Sequence, residues 1–169
     1  PDGATLQAVY YPNGLIRSHT LARGQSINYA YDPAGLLTNI TYGGEGGGVP
    51  QEFVYDYWRK WLLSWSNSWG MIRFYPDKLG RVTQEIEAAK GFTQGCGYSF
   101  DPLGQLSTQV WMIGSAPQTQ RAFAHDALGR LTNLMTEAGS FSFSYMGASR
   151  LVSRVGFPNG ERADSGYDG

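Results

Sequence analysis

The chain has few charges, one cysteine and no long apolar run. Charged residues make up 16% of its 169 residues and the net charge is −1, whereas about a quarter of the residues in an average soluble protein are charged. This balance leaves no electrostatic footprint for nucleic acid or for an anionic membrane surface. The single cysteine, Cys96, excludes a disulfide framework and a cysteine-rich zinc site within one chain. No apolar stretch reaches the roughly 18 residues of a membrane-spanning helix, so we expect neither nucleic-acid binding nor membrane insertion.

Glycine and aromatic residues are abundant instead. The sequence holds 23 glycines, and aromatic residues account for 14% of it. A disordered chain would be poor in aromatic residues and rich in charge, so this composition is typical of many short strands joined by turns. The length also predicts one domain with a sizeable core.

A short phrase recurs along the chain. It consists of an aromatic-type residue, Asp, two further residues and Gly, with an aliphatic residue soon after. The glycines Gly80, Gly104 and Gly129 follow one another at intervals of 24 and 25 residues, and Gly35 precedes Gly80 by 45. A fixed period of about 20 to 50 residues indicates a repeat architecture. The four copies of the phrase lie at 31–36, 75–82, 100–106 and 125–131.

The Asp-x-x-Gly core of the phrase has the chemistry of a tight turn. Asp is favoured at the first position of a type I turn, Pro at the second and Gly at the fourth. The Asp carboxylate accepts hydrogen bonds from amides inside the turn, and Gly adopts the left-handed conformation easily. We therefore predict structural turns at Asp32 and Gly35, Asp77 and Gly80, Asp101 and Gly104, and Asp126 and Gly129.

The segments that flank these turns have the alternation of strands. Phe141, Phe143 and Tyr145, for example, alternate with serines, a pattern typical of half-buried strands. Each unit should be one hairpin, and because an isolated hairpin is marginal in water, neighbouring hairpins should pair. The predicted fold is all-β, with consecutive hairpins that pair into a curved, spiralling sheet of shell-like or solenoid-like form. We expect residues 1–169 to be a single array of about eight hairpin units and a piece of a longer array.

Several segments depart from the phrase. Tyr55-Asp56 has no Gly after it at 57–61, and the unit at 143–151 has no Asp. Pro-Asn-Gly occurs at 12–14 and again at 158–160, which indicates two further turns. The segments 43–48 and 114–120 predict two long loops between neighbouring hairpins, and a flexible linker is the alternative for 43–48. The last residues, 167–169, look like the start of another turn.

The four copies and the two Pro-Asn-Gly segments resemble the RHS/YD-repeat family, whose hallmark is Tyr-Asp-x-x-Gly-Arg-Leu followed by a short strand. The resemblance covers nearly the whole chain, and 77–82 and 126–131 carry it best. It implies a long sheet that spirals into a hollow shell. In bacterial polymorphic toxins and insecticidal toxin complexes that shell encloses a toxic polypeptide, and in teneurins it forms a barrel used in adhesion. The resemblance therefore implies a non-catalytic structural segment of a shell or fibre, secreted or at the cell surface, that encloses or presents another polypeptide.

Four of the five tryptophans lie close together, at Trp58, Trp61, Trp65 and Trp69. Their spacing of three, four and four residues fits one face of a helix, but the preceding Tyr-Asp and the shared parity of Trp61, Trp65 and Trp69 favour strands. Two roles are open for them. Exposed indoles would form a surface that binds a glycan or a partner, whereas buried indoles would fill the wall of the shell.

The sequence shows no pattern of catalytic or metal-ligating residues. Each Asp-x-x-Gly turn offers one carboxylate, whereas a calcium loop needs several oxygen ligands. His19, His125 and Cys96 are isolated, so we expect no enzyme activity, no cofactor and no metal. Arg81 and Arg130 directly follow turn glycines, where they should bind carbonyls or aromatic rings of the adjacent unit.

The open ends of a hairpin array are unpaired strand edges, and such edges invite pairing with another chain. We therefore expect this chain to pair with neighbouring repeats or with further copies of itself, and not to be a stable monomer alone. The resemblance adds an enclosed toxin polypeptide as a partner, and the tryptophans add a glycan.

Overall fold

The structure, a computed structural model, describes residues 7–21 and 24–167. It contains fifteen strands and, in these two ranges, no helix. The strands are β1 (Gln7–Tyr10), β2 (Ile16–Thr20), β3 (Ser26–Tyr31), β4 (Leu37–Gly43), β5 (Gln51–Tyr55), β6 (Leu62–Asn67), β7 (Gly70–Pro76), β8 (Val82–Ala89), β9 (Phe92–Phe100), β10 (Leu106–Ile113), β11 (Ala116–His125), β12 (Leu131–Thr136), β13 (Gly139–Tyr145), β14 (Val152–Gly156) and β15 (Arg162–Asp164).

The strands lie in one open sheet in the order of the sequence, and each is hydrogen-bonded to its neighbours in the chain. The pairing is antiparallel, as short turns between consecutive strands require. The prediction of an all-β fold of consecutive hairpins is thus confirmed. None of the described residues belongs to a helix long and apolar enough to span a membrane. The turn predicted at the C-terminal end, at Asp168 and Gly169, lies outside the described residues.

The chain divides into two compact units. The N-terminal unit comprises Pro1–Arg81 and Ile86–Phe92, and the C-terminal unit comprises Val82–Glu85 and Thr93–Gly169. Strand β8 therefore contributes its first half to the C-terminal unit and its second half to the N-terminal unit.

Neither unit contains a buried hydrophobic core among its described residues. In β13, Phe141, Phe143 and Tyr145 are half-buried and the serines between them are exposed. A sheet that is not covered by another layer buries its apolar face only by contacts between neighbouring strands. The expectation of a sizeable core was therefore wrong, although the predicted alternation within the strand is confirmed.

The two predicted long loops have different outcomes. The Gly-rich segment ends β4 at Gly43 and then forms the connection to β5, which begins at Gln51. The predicted loop at 114–120 is wrong, because β10 and β11 are joined by two residues only. Gly114 adopts a φ of 60°, which a two-residue hairpin turn requires. Pro117 enters β11 where the register with β10 shifts, and a bulge is a place where a strand tolerates proline.

The two Pro-Asn-Gly segments occupy different kinds of connection. The first forms the turn from β1 to β2, and it follows an odd-numbered strand, as every Asp-x-x-Gly turn does. The second forms the turn from β14 to β15. Within the C-terminal unit, this second turn lies at the opposite end of the strands from the turns that begin at Asp101 and Asp126. The two segments therefore do not share one phase in the repeat.

Candidate functional site

The aspartate turns share one hydrogen-bonding pattern. In the turn between β3 and β4, the amide of Gly35 donates to the carbonyl of Asp32 at 2.9 Å, and the amide of Asp32 donates to the carbonyl of Leu36 at 2.9 Å. The carboxylate oxygen Oδ1 of Asp32 accepts the amides of Ala34 at 2.8 Å and Leu36 at 2.9 Å. One carboxylate oxygen thus satisfies two amides that the sheet does not pair.

The same pattern recurs at Asp77, Asp101 and Asp126, each of which accepts the amides two and four residues later. Each turn ends on a glycine in the left-handed region, with φ of 82°, 86°, 83° and 76° at Gly35, Gly80, Gly104 and Gly129. In the described part of the chain, no three acidic, histidine or cysteine side chains are grouped closely enough to hold a metal ion. The four carboxylates therefore act inside their own turns, not as a shared site.

The residue that follows a turn packs against the next turn along the same end of the strands. In the N-terminal unit, Leu15 contacts the position of Gly35, where a Cβ atom would lie 3.7 Å from its Cδ1. In the same unit, a Cβ atom on Gly80 would lie 2.6 Å from Cζ2 of Trp61. In the C-terminal unit, Gln105 occupies the equivalent place against Gly129.

This packing between turns was not predicted from the sequence, although the position of the packing residues in the sequence indicates it. Leu15, Gln105 and Arg130 each stand directly after a turn glycine. Trp61 stands in the same place after a turn that has no glycine. Gly35, Gly80 and Gly129 thus serve twice, because each supplies the left-handed φ and leaves room for a side chain that follows an earlier turn.

Arg130 links two turns of the C-terminal unit. Its Nε donates to Oδ2 of Asp126 at 2.7 Å, and its Nη1 donates to the carbonyls of Gly147 at 2.7 Å and Ser149 at 2.6 Å. Its guanidinium also lies 4.5 Å from the centre of the Tyr145 ring. The predicted contact of this arginine with carbonyls and a ring of the adjacent unit is confirmed.

The arginines also set the charge of the aspartates beside them. The hydrogen bond from Arg130 lowers the pKa of Asp126, helped by backbone amides and opposed by partial desolvation. At Asp77 partial desolvation raises the pKa, but the hydrogen bonds from Arg81 and the amide of Leu79 outweigh it, so the net pKa is lowered. Both carboxylates are therefore held in the charged form that accepts the amides of the turn.

The turn between β5 and β6 differs from the others. Oδ1 of Asp56 accepts the amides of Trp58 at 3.0 Å and Arg59 at 2.6 Å, and the amide of Lys60 donates to the Asp56 carbonyl at 2.9 Å. Lys60 takes the place of the turn glycine with a φ of 60°. The Asp56 amide donates to the carbonyl of Trp61 at 2.8 Å, so this turn is one residue longer than an Asp-x-x-Gly turn.

The four neighbouring tryptophans do not form one platform. Trp58 is 85% exposed in the turn before β6, and Trp69 is 71% exposed in the turn after it. The strand between them has six residues, so they are about 20 Å apart at its opposite ends. Trp61 and Trp65 are half-buried. The helical alternative for these residues is wrong, because β6 is a strand.

Trp65 belongs to the half-buried face of the N-terminal unit. It lies opposite Phe53 on β5 and Ile72 on β7. Its indole Nε1 donates to Oε1 of Gln51 at 3.1 Å, and Nε2 of Gln51 donates to the hydroxyl of Tyr42 at 3.2 Å. One glutamine thus satisfies two aromatic polar groups on this face.

Histidine and cysteine each lie among strand residues. His19 Nδ1 lies 3.3 Å from the hydroxyl of Tyr29, with their rings edge to face at 5.7 Å. His125 ends β11 opposite Leu131. Cys96 is half-buried on β9. Tyr98, two residues further on, donates to Oε1 of Glu85 at 2.9 Å, and burial together with this bond raises the pKa of its phenol far above the ordinary value.

Comparison with known proteins finds a family model that matches one part of the chain. The family model of the RHS repeat matches residues 10–46. This segment is therefore similar to RHS repeats. It spans the turn at 11–14, the turn that begins at Asp32 and the contact of Leu15 with Gly35. The resemblance found in the sequence is confirmed, and no curated protein matches the chain.

Solved structures share the fold of the chain beyond residues 10–46. The crystal structure of TcdB2-TccC3-Cdc42 has 13% identity and a TM-score of 0.71, and that of TcdB2-TccC3-TEV has 12% and 0.73; each alignment covers 94% of this chain and 10% of the other. A structure of the Photorhabdus luminescens Tc holotoxin pore has 12% identity and a TM-score of 0.71, and covers 92% of this chain and 9% of the other. This chain therefore spans about a tenth of the length of those chains.

Proposed function

We propose that this chain is a non-catalytic structural segment in the wall of an RHS-type shell, in which residues 1–169 act as one stretch of the array. One observation carries the proposal: the distinctive residues of the repeat are used to build the sheet. The turn aspartates cap their own amides, and the residue after a turn packs against the next turn. A sheet without a buried core needs further layers or further repeats beside it.

The comparisons support a shell of the toxin-complex type. The matched structures are named as complexes of TcdB2 with TccC3 and as a Tc holotoxin pore. By analogy, we propose that this segment works in a secreted toxin complex, next to neighbouring repeats, and that the completed shell encloses another polypeptide. The alternative of a glycan-binding module has less support. Trp58 and Trp69 lie at opposite ends of β6, and Trp61 and Trp65 are half-buried.

The absence of catalysis is part of the proposal. The carboxylates of the turns are engaged by amides, and those of Asp77 and Asp126 are also paired with arginines at 2.7 Å. Acid–base catalysis would require such groups to be free and to converge on one substrate.

Cryo-electron microscopy of the full-length protein that carries this chain tests the proposal. We expect residues 7–164 in the wall of a closed shell, with density for a second polypeptide inside. A solvent-open sheet with nothing enclosed would contradict the enclosure. Sedimentation of the chain alone gives a second test. Unpaired strand edges should make the chain associate at roughly tens of micromolar, and a stable monomer at that concentration would contradict this expectation.

A further inference from the structure

The turns at 56–60 and 77–80 of the N-terminal unit present exposed apolar side chains. The hydrogen bonds of each turn use the backbone of these residues and not their side chains. Trp58 and Leu79 each stand two residues after a turn aspartate, and they are 85% and 75% exposed. Their backbone amides are held by Asp56 Oδ1 at 3.0 Å and Asp77 Oδ1 at 2.8 Å. Both side chains are thus carried on fixed backbone, so that binding a partner would cost little ordering of the turn.

The composition of these turns is that of a protein-binding hot spot. Tyr57 is 73% exposed and packs edge to face against Trp58, with ring centres 4.9 Å apart. Arg59 lies in the same turn. Tryptophan, tyrosine and arginine are the residues enriched at the energetic centres of interfaces.

The charge of the two turns favours an acidic partner. Arg59 lies over the Trp61 ring at 5.0 Å and Lys60 over the Tyr57 ring at 4.9 Å. Among the described residues, no carboxylate forms an ion pair with Arg59, Lys60 or Lys78. The two carboxylates of these turns are occupied, since Asp56 caps amides and Asp77 also pairs with Arg81 at 2.7 Å.

The spacing of the two turns favours a helix. They are separated by two strand positions in the sheet, which corresponds to roughly 9.5 Å. Side chains seven residues apart on a helix are about 10.5 Å apart on the same face. Side chains on one face of an extended chain repeat at about 6.7 Å, which does not fit.

We propose that Trp58 and Leu79, with the cations of their turns, form a docking surface for an acidic amphipathic helix of another polypeptide. The helix would lie across the strand direction and place apolar residues seven apart against Trp58 and Leu79. Its carboxylates would face Arg59, Lys60 and Lys78. This surface is independent of whether the sheet encloses a polypeptide.

Fluorescence anisotropy with the full chain and a designed probe tests this. The probe is a fluorescein-labelled helical peptide of about three heptads, rich in glutamate, with leucine at every seventh position. We expect binding that salt weakens, and a loss of about tenfold or more for Trp58→Ala or Leu79→Ala, which corresponds to roughly 1.4 kcal/mol. Lys78→Gln should give a smaller loss that disappears at high salt.

The matched control is Trp69→Ala, which removes another largely exposed tryptophan from the other end of β6 and should leave binding unchanged. A peptide of the same composition with the leucines scattered around the helix controls for spacing. The proposal is overturned if the designed peptide fails to bind, if the scattered peptide binds as well, or if Trp69→Ala is as harmful as Trp58→Ala. It is also overturned if Trp58→Ala abolishes self-association or binding of a soluble chito-oligosaccharide, because the occupant is then a second copy or a glycan. Unchanged thermal unfolding of each variant confirms that the fold is intact.

Discussion

The turns at 56–60 and 77–80 begin alike and end differently. In both, an aspartate carboxylate accepts two backbone amides. The second turn closes on Gly80, whereas the first takes one more residue and closes on Lys60, which adopts the left-handed conformation despite its side chain. The pair shows that the aspartate defines the turn, because it caps backbone amides whether or not a glycine ends the turn. At Gly80 the glycine also leaves room for the Trp61 ring, which fills the space beside it.

Gly80→Ala should break this relation with the largest effect. The new Cβ atom would lie 2.6 Å from the Trp61 ring, at a φ of 86°. Left-handed strain costs about 1 to 2 kcal/mol and overpacking costs about 1 to 3 kcal/mol more, so we expect unfolding to become easier by roughly 3 kcal/mol. Chemical denaturation followed by tryptophan fluorescence measures it.

Gly91→Ala is the matched control. Gly91 has a similar φ of 72°, and a Cβ atom there meets nothing within 4 Å. Only the strain of about 1 kcal/mol should remain. Equal losses in the two variants would show that the contact with Trp61 contributes nothing.

Removal of the turn carboxylates should come next in size. Asp56→Ala leaves two amides without their acceptor and should cost about 1 kcal/mol, as the loss of a helix cap does. Asp77→Ala should cost more, since Arg81 also loses a partner at 2.7 Å. The comparison sharpens with Asp56→Asn and Asp77→Asn, which keep Oδ1 and remove the charge. We expect Asp56→Asn to unfold like the parent protein and Asp77→Asn to unfold at a lower temperature in a thermal scan. An equal response of both would assign no stabilising role to the ion pair.

A fall in pH should reduce the stability that Asp77 gives to the turn at 77–80, and this effect should be smaller than those of the substitutions above. The pKa of Asp77 is lowered in the folded protein, so the unfolded chain takes up the proton first as the pH falls. Its contribution is therefore complete above about pH 3.9, the ordinary aspartate value, and is lost as the pH falls toward the lowered pKa. Asp126 and Asp164 act in the same direction. In thermal scans between about pH 5 and pH 2, the unfolding temperature should fall less steeply with pH for Asp77→Asn than for the parent protein. Parallel plots of unfolding temperature against pH would disprove the contribution of Asp77.

Much of the fold could be predicted from local chemistry. The Asp-x-x-Gly phrase contains its own hydrogen bonds, so the turns at Asp32 and Asp101 needed no knowledge of the rest of the chain. Alternation such as that of Phe141 and Phe143 indicated strands for the same reason. The connection at 114–115 was missed because Pro117 and its polar neighbours look like a loop, whereas pairing with β10 makes them a strand.

The packing between turns could not be predicted in this way. The contacts of Leu15 with Gly35 and of Trp61 with Gly80 join residues about 20 positions apart, and they become apparent only when the strand order is known. The tryptophans show the same limit. Their closeness in sequence suggested one platform, but the strand between Trp58 and Trp69 places them at its two ends.

Lys60→Gly should have the smallest effect and the opposite sign. The substitution relieves the left-handed strain of about 1 kcal/mol, but it also removes the contact of the lysine with the Tyr57 ring at 4.9 Å, which is worth about 0.5 to 1 kcal/mol at an exposed site, and it frees the unfolded chain. We therefore expect stability in denaturant to rise by no more than about 0.5 kcal/mol. Lys60→Asn also lacks the cation and tolerates this conformation, so its difference from Lys60→Gly shows how much the freedom that glycine gives to the unfolded chain contributes. A clear loss of stability in Lys60→Gly, with none in Lys60→Asn, would mean that the longer turn depends on the limited freedom of its unfolded chain and not on relief of strain.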